Sequence, residues 1–310
     1  MAKNIVALGS LAFDSIETPS GQVTRALGGS LSHFINAAAK QSHLNMGILG
    51  VVGDDFGPRE ESFFVEKNID LTDMERVAGQ TFFWSGYYEK DMNQAHTRIT
   101  ELNVFSDFKP RVSPVNQECD ILFLANIDPE LQLEVISKVR FRYAFLDTMN
   151  YWLTSKRDAV LAVLPKITGF IINEEEAFIL TEEANYLRAA EKILTFGPQY
   201  LIIKRGNSGV VFMGKDGSLI NYPAFPIKGL VDPTGAGDSF AGGFVSYLAD
   251  RLRNNEALEE SFKAALVYAT VMASFNVEGF GLEGLAPITK EDVAARIMRY
   301  REYSSFPNFN

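Results

Sequence analysis

Short β-prone runs alternate with segments of helical period along most of this chain, and that alternation restricts the fold more than any other feature. Apolar runs at 4–8, 46–52, 120–124, 143–147, 169–173 and 200–204 read as strands. Between them, 30–41, 129–139, 155–164, 174–180 and 186–195 read as helices, and the last third reads as helices over 236–251, 258–277 and 290–303. Strands joined by helices of this length pair in parallel through right-handed crossovers, so the expectation is an α/β fold with a mainly parallel sheet. A hairpin-like pair, 210–213 and 219–222, adds to it. Two segments depart from the rhythm. Residues 16–27 and 80–100 are β-prone and alternating, and 80–88 read Gln-Thr-Phe-Phe-Trp-Ser-Gly-Tyr-Tyr. They predict a small second sheet, drawn from about 14–27 and 80–103, that either fills out an edge of the core or closes over a ligand as a lid. No repeat or low-complexity run divides the chain, so one domain over 1–310 is expected.

Composition removes several classes of function. Hydrophobic residues make up 46% of the 310 residues and charged residues 22%, enough to bury a large core without disulfides or a structural metal. The chain has one cysteine, Cys119, and three histidines, His33, His43 and His96, none in a His-Glu-X-X-His spacing. A disulfide framework, a zinc ribbon and Cys-X-X-Cys redox chemistry are thereby excluded. The net charge of −10 disfavours a nucleic-acid-binding surface, although a small anionic substrate responds only to the local field. No apolar run approaches the roughly 18–20 residues needed to span a bilayer. The first residues, MAKNIVALGSLAFD, lack a signal-peptide core. The expectation is a cytoplasmic protein with neither nucleic-acid nor membrane partners.

The most informative stretch is Asp232-Pro-Thr-Gly-Ala-Gly-Asp-Ser-Phe-Ala-Gly-Gly-Phe244. An apolar helical pattern follows Asp238, which puts Gly235, Ala236 and Gly237 at a loop-to-helix junction. The first N–H groups of a helix lack intrahelical partners and carry partial positive charge, and glycine lets that backbone approach an anion. Asp238 then lies in the first turn beside the anion, where a carboxylate can take a proton from a hydroxyl while the helix end stabilises a transferring phosphoryl group. A glycine-rich turn followed by an ordinary helix-start acid is the other reading of the four residues alone. The chain has no Gly-X-Gly-X-X-Gly after its first strand and no Gly-X4-Gly-Lys-Ser/Thr, which sets aside a dinucleotide oxidoreductase and a Walker loop.

Taken whole, Asp232 to Phe244 resembles the C-terminal signature of the PfkB, or ribokinase-like, carbohydrate kinases. The resemblance runs through nearly the whole chain: Gly9 followed by Asp14, the pair Gly28-Gly29 opening a helix, Val52-Gly-Asp-Asp-Phe-Gly57, Asn173-Glu-Glu-Glu176 and Lys204-Arg-Gly-Asn-Ser-Gly209, in the family's order. It implies a three-layer α/β/α, doubly wound fold with a small β lid, and an ATP- and Mg2+-dependent kinase of a sugar or nucleoside primary hydroxyl. It also implies roles. Asp238 would be the base, and Gly235, Ala236 and Gly237 the anion hole. Asp14, Gly28 and Gly29 would contact the acceptor, joined by His33, which stands where the family usually has Asn. Lys204, Gly206 and Thr234 would meet the nucleotide phosphates, with Ala273, Asn276 and Gly279 around the adenine. Asn173 and Glu176 would hold Mg2+ through water, and Asp232 would help form a K+ site as in some relatives. The aromatic run at 82–88 leans toward a nucleoside acceptor, and clasp-forming relatives make a homodimer through the lid an expectation. The competing class is a non-catalytic nucleotide- or sugar-binding regulatory protein on the same scaffold.

Overall fold

The computed structural model describes residues 2–92, 94–305 and 307. Met1, Asn93 and residues 306 and 308–310, which the expected domain and lid segments include, lie outside the described residues. A nine-stranded sheet forms the centre. Its strands are β1 (Lys3–Leu8), β4 (Met46–Val52), β5 (Ile69–Arg76), β8 (Glu118–Leu124), β9 (Arg140–Asp147), β10 (Gly169–Asn173), β11 (Tyr200–Lys204), β12 (Val210–Gly214) and β13 (Leu219–Tyr222). They lie in the order β13-β12-β11-β10-β9-β8-β1-β4-β5. All neighbours from β11 to β5 pair in parallel, and β12 and β13 add an antiparallel edge.

The central strands are apolar on both faces because helices cover both. On one side Ile5, Ile48, Phe123, Phe145 and Ile171 pack against Phe34 of α1 (Ser30–Ala38), Phe244 of α8 (Ala236–Arg253) and Phe262 of α9 (Leu258–Asn276). On the other, Val6, Leu122, Leu146 and Ile172 meet Val135 of α3 (Pro129–Lys138), Ala177 of α6 (Glu174–Thr181) and Ile193 of α7 (Tyr186–Thr195). This is the three-layer α/β/α arrangement. Its switch point is β1, whose two neighbours, β8 and β4, lie far apart in the chain. Ligands of such sheets sit at the carboxyl ends of the strands near that point.

Three stretches differ from the expectation. The helix expected at 155–164 is α5 (Arg157–Val163), and a separate helix, α4 (Asn150–Ser155), precedes it because Lys156 breaks the turn at φ −135° and ψ 39°. A short helix, α2 (Pro58–Val65), and the edge strand β5 carry too few contiguous apolar residues to stand out in the sequence. In β5 the interior position Asp73 is a buried carboxylate satisfied by Ser113 and Asn116.

A second sheet of four strands runs β3-β2-β6-β7, with β2 (Ala12–Thr18), β3 (Gly21–Gly28), β6 (Phe82–Tyr88) and β7 (Ala95–Glu101). It is anchored to the chain just ahead of α8. Thr18 Oγ1 donates to Val231 O at 2.8 Å, and Ser20 Oγ donates to Leu230 O at 3.2 Å.

Candidate active site

Three adjacent parallel strands end side by side in polar residues: β9 at Asp147, β10 at Asn173 and β11 at Lys204. The N-terminus of α8 meets them there. Gly235 enters that helix in the left-handed region at φ 72°, and a Cβ on it would lie 2.0 Å from His33 Nδ1, so only glycine fits. The Gly235 and Gly237 N–H groups have no acceptor among the described residues, whereas the Ala236 N–H donates to Pro233 O at 3.2 Å. The anion hole expected of three residues thus has two open donors.

Lys204 stands directly before this helix end. Its Nζ donates to both Asp147 oxygens, at 2.9 and 3.2 Å, and a Cβ on Gly237 would come within 2.9 Å of it. Burial works against the Lys204 ammonium, but Asp147 and Glu176 outweigh it and hold its pKa above the ordinary value. Asp238 faces the same space. Burial, reinforced by Asp147 and Asp14 and opposed by Lys204, pushes its carboxyl up to about 8. Burial likewise lifts Glu176 to about 7, against Lys204 and with Asp147 adding to it. One ammonium therefore faces several carboxylates in a space short of water, a charge balance that suits an added cation.

Asn173 and Glu176 are joined in a reciprocal helix cap. Asn173 Oδ1 accepts the Glu176 N–H at 2.8 Å, and Glu176 Oε2 accepts the Asn173 N–H at 2.9 Å. The cap leaves Glu176 Oε1 without a hydrogen bond among the described residues. Among the described residues, no three His, Cys, Asp or Glu side chains converge as direct metal ligands. An all-oxygen donor set reaching a cation through water fits magnesium, which keeps several waters and takes few carboxylates.

The residues expected to contact an acceptor lie on and beside the small sheet. Asp14 on β2 is buried, and burial, opposed by the Gly29 N–H, lifts it to about 7. Gly28 makes room for it: a Cβ there would fall 1.9 Å from Asp14 Oδ2. Gly29 N donates to the same oxygen at 3.4 Å. Asp14 is in register with Trp84 on β6, so both side chains share one face. The Trp84 indole lies over Gly86, where a Cβ would meet it at 2.4 Å, and its Nε1–H donates to Thr97 Oγ1 at 3.1 Å. Further along β6 the Tyr88 hydroxyl lies 3.1 Å from Thr234 Oγ1, a direct link to the loop before α8.

Two expected contact residues face inward instead. Asn276 is fully buried: its Nδ2 donates to Thr234 O at 2.8 Å, and its Oδ1 accepts from Ser239 Oγ at 2.9 Å and lies 3.3 Å from His33 Nδ1. In this arrangement it braces the α8 loop from behind. His33 is 2% exposed, with burial holding its pKa below the usual imidazole value, and its Nε2 has no partner among the described residues. Asp232 is fully buried and accepts N–H groups from Thr234 and Gly281, both at 2.9 Å, tying together the two loops at this end of the sheet. Ala273 is half-buried, Gly279 sits in a tight turn against Gly284, and Gly206 has open space around it.

The sequence pattern described as "pfkB family carbohydrate kinase" matches residues 2–287. The chain belongs to the pfkB family. As a pfkB kinase it is an ATP-dependent phosphotransferase acting on a sugar or a nucleoside. A cytidine kinase of Thermococcus kodakarensis is 27% identical over 251 residues, covering 78% of this chain and 87% of the relative. The ribokinase structure from Giardia lamblia superposes with a TM-score of 0.78 at 18% identity, covering 97% of this chain and all of that one. A structure of a ribokinase II from E. coli, described as putative and in complex with ATP and Mg2+, gives 0.74 at 18%, over 96% and 100% of the two chains. At these identities the structures establish the shared fold. Within this pfkB kinase, sequence reasoning overlooked Asp147 beside Lys204, and it took Tyr88 as one of an aromatic run without the link to Thr234. Asp147 reads as the last residue of an apolar strand, and only the ends of β9 and β11 coming together give it a partner.

Proposed function

We propose that this pfkB kinase transfers the γ-phosphoryl group of ATP to the primary hydroxyl of a ribonucleoside, with Asp238 as the general base. The observation that carries the chemistry is Asp238 in the first turn of α8, beside two open backbone donors and the Lys204 ammonium. Asp238 takes the hydroxyl proton as the oxygen attacks phosphorus, and the Gly235 and Gly237 N–H groups with Lys204 stabilise the charge on the moving phosphoryl group. Asn173 and Glu176 would hold the magnesium of MgATP through water, and that ion, when bound, neutralises the triphosphate and aligns it. Lys204 and Gly206 lie where the nucleotide phosphates would approach the end of β11.

The nucleoside acceptor rests on Asp14 and Trp84 sharing one face. A buried carboxylate suits the paired hydroxyls of a ribose, and the Trp84 indole beside Gly86 offers an aromatic surface for a base. Base–aromatic stacking contributes about 1–3 kcal/mol, and any value above about 1.4 kcal/mol favours a nucleoside over the free sugar by tenfold or more. The relationship to a cytidine kinase supports the same reading. A phosphorylation assay with MgATP and a panel of cytidine, adenosine, inosine, ribose and fructose tests it. Nucleosides should show kcat/KM at least about tenfold above either sugar. A preference for a free sugar refutes the nucleoside reading, and ATP turnover with none of them refutes the kinase site.

The finer expectations remain part of this proposal. The two carboxylate oxygens of Asp232 each keep acceptor capacity beside their backbone partners, so K+ can be tested by activity in potassium against sodium buffer. The exposed edge strand β7 would allow two copies to pair through their small sheets, which sedimentation would detect. The single buried cysteine agrees with a cytoplasmic setting. Among the described residues no helix is long and apolar enough to cross a membrane.

A further inference from the structure

An ammonium in front of a helix N-terminus has the wrong sign for helix stability, because that end already carries positive partial charge. Lys204 is in that position before α8, and it is held there by a carboxylate built for the task. Asp147 is 4% exposed in its side chain, against 18% for Lys204, and grips the ammonium through both oxygens. Its own geometry is fixed twice over. Its Oδ1 accepts the Thr148 N–H at 2.9 Å, and its carbonyl accepts from Nε2 of the buried Gln132 at 3.3 Å, a side chain that also bonds Ala125 O at 2.9 Å. Asp147 is too enclosed to meet a substrate, while Lys204 keeps an open side. The pair spans β9 and β11 across the end of β10, and Lys204 is within electrostatic reach of both Glu176 and Asp238.

We propose that Asp147 is a positioning residue that parks the Lys204 ammonium at the point of phosphoryl transfer, so that the site carries its own fixed cation before MgATP arrives. The proposal rests on the kinase reading above. Asp147 and the incoming phosphate compete for one ammonium, and this competition gives the pair a signature that a structural ion pair lacks. With Asp147 neutral, a negative charge that repels the triphosphate is gone and Lys204 is free to follow the phosphate. Ground-state binding of MgATP then tightens. The ammonium is no longer held where the transition state needs it, so turnover falls.

The test compares Asp147→Asn, Asp147→Glu and Lys204→Gln in the full chain. Calorimetric Kd for MgATP is measured without acceptor, and kcat with the best acceptor of the panel. Asp147→Asn should bind MgATP about two- to tenfold more tightly and turn over about tenfold or more slowly, and Lys204→Gln should bind more weakly and also turn over slowly. The opposite directions in Kd with the same direction in kcat support the proposal. Asp147→Glu keeps the charge but moves it by one methylene, so it should leave Kd within about twofold while lowering kcat, and it carries the test if the Asn variant does not fold. In Asp147→Asn, weakened MgATP binding or unchanged kcat overturns the proposal, as does an unchanged kcat in Asp147→Glu. The Kd comparison needs no acceptor, so absence of wild-type turnover counts against the kinase reading and leaves the Kd directions to decide the role of Asp147.

Discussion

Replacing Asp238 by Asn should disable the enzyme and stabilise the fold at once. The amide keeps the size of the side chain but cannot take a proton, so kcat should fall by about 10²–10⁴, the usual worth of a positioned base. The stability change follows from the electrostatics of the site. Burial, with Asp147 and Asp14, lifts the Asp238 carboxyl from 3.8 to about 8. At about 1.4 kcal/mol per tenfold, that rise caps the cost of ionising it in the folded state at about 6 kcal/mol. That value already includes the opposing Lys204, and the partial exposure of Asp238 reduces the realised cost further, to about 1–3 kcal/mol. A carboxyl whose pKa is raised on folding stabilises the native state fully below about pH 4, and that contribution is lost as pH climbs to about 8. The variant lacks this loss. Its Tm should match wild type near pH 4 and exceed it by about 2 °C or more at pH 8. Scanning calorimetry across that range, beside a coupled kinase assay, reads both effects. Wild-type turnover in the variant refutes Asp238 as the base, and a Tm difference that does not grow with pH refutes the buried-charge argument.

Three further outcomes are expected. Trp84→Ala should raise KM for a nucleoside about tenfold while leaving KM for ATP within about twofold, as initial-rate kinetics would report; equal effects on both would remove the stacking role. Gly235→Ala forces a Cβ into His33 at φ 72° and should cost at least about 2 kcal/mol, seen as a lower denaturation midpoint; a neutral result would contradict the packing behind the loop. The acid limb of kcat/KM should climb between about pH 6 and 9, steeper than one ionisation, because Asp14 and Glu176 at about 7 and Asp238 at about 8 must all lose protons. A plateau reaching down to pH 5 would show that burial does not govern these carboxyls.

The parallel core was legible because strands covered on both faces leave long apolar runs, as in Met46–Val52 and Gly169–Asn173. The edge strand Ile69–Arg76 was not, since its apolar residues are interrupted by Asp70 and Asp73, which find partners only in the folded chain. The loop before α8 was legible for a different reason: glycines followed by an acid at a helix start express a local backbone requirement. Asn276 shows the limit of such reading. It looked like a pocket residue from its place at a helix end, yet its side-chain hydrogen bonds run to Thr234, Ser239 and His33. Which way a side chain faces at a helix end depends on the loop packed against it, and that loop lies some forty residues earlier in the chain.

The parallel pairing of Asp14 with Trp84 has a bearing on how the enzyme fails. Those two residues come from strands separated by β3, α1, β4, α2 and β5, so the proposed acceptor wall closes a long loop that includes β5, an edge strand of the main sheet. The phosphate side hangs from the interior strands β9, β10 and β11 instead. Openings that begin at a sheet edge cost less than global unfolding. Mild heat or denaturant should therefore strip this kinase of its acceptor affinity while it still holds nucleotide, leaving a state that binds ATP and has nothing to phosphorylate.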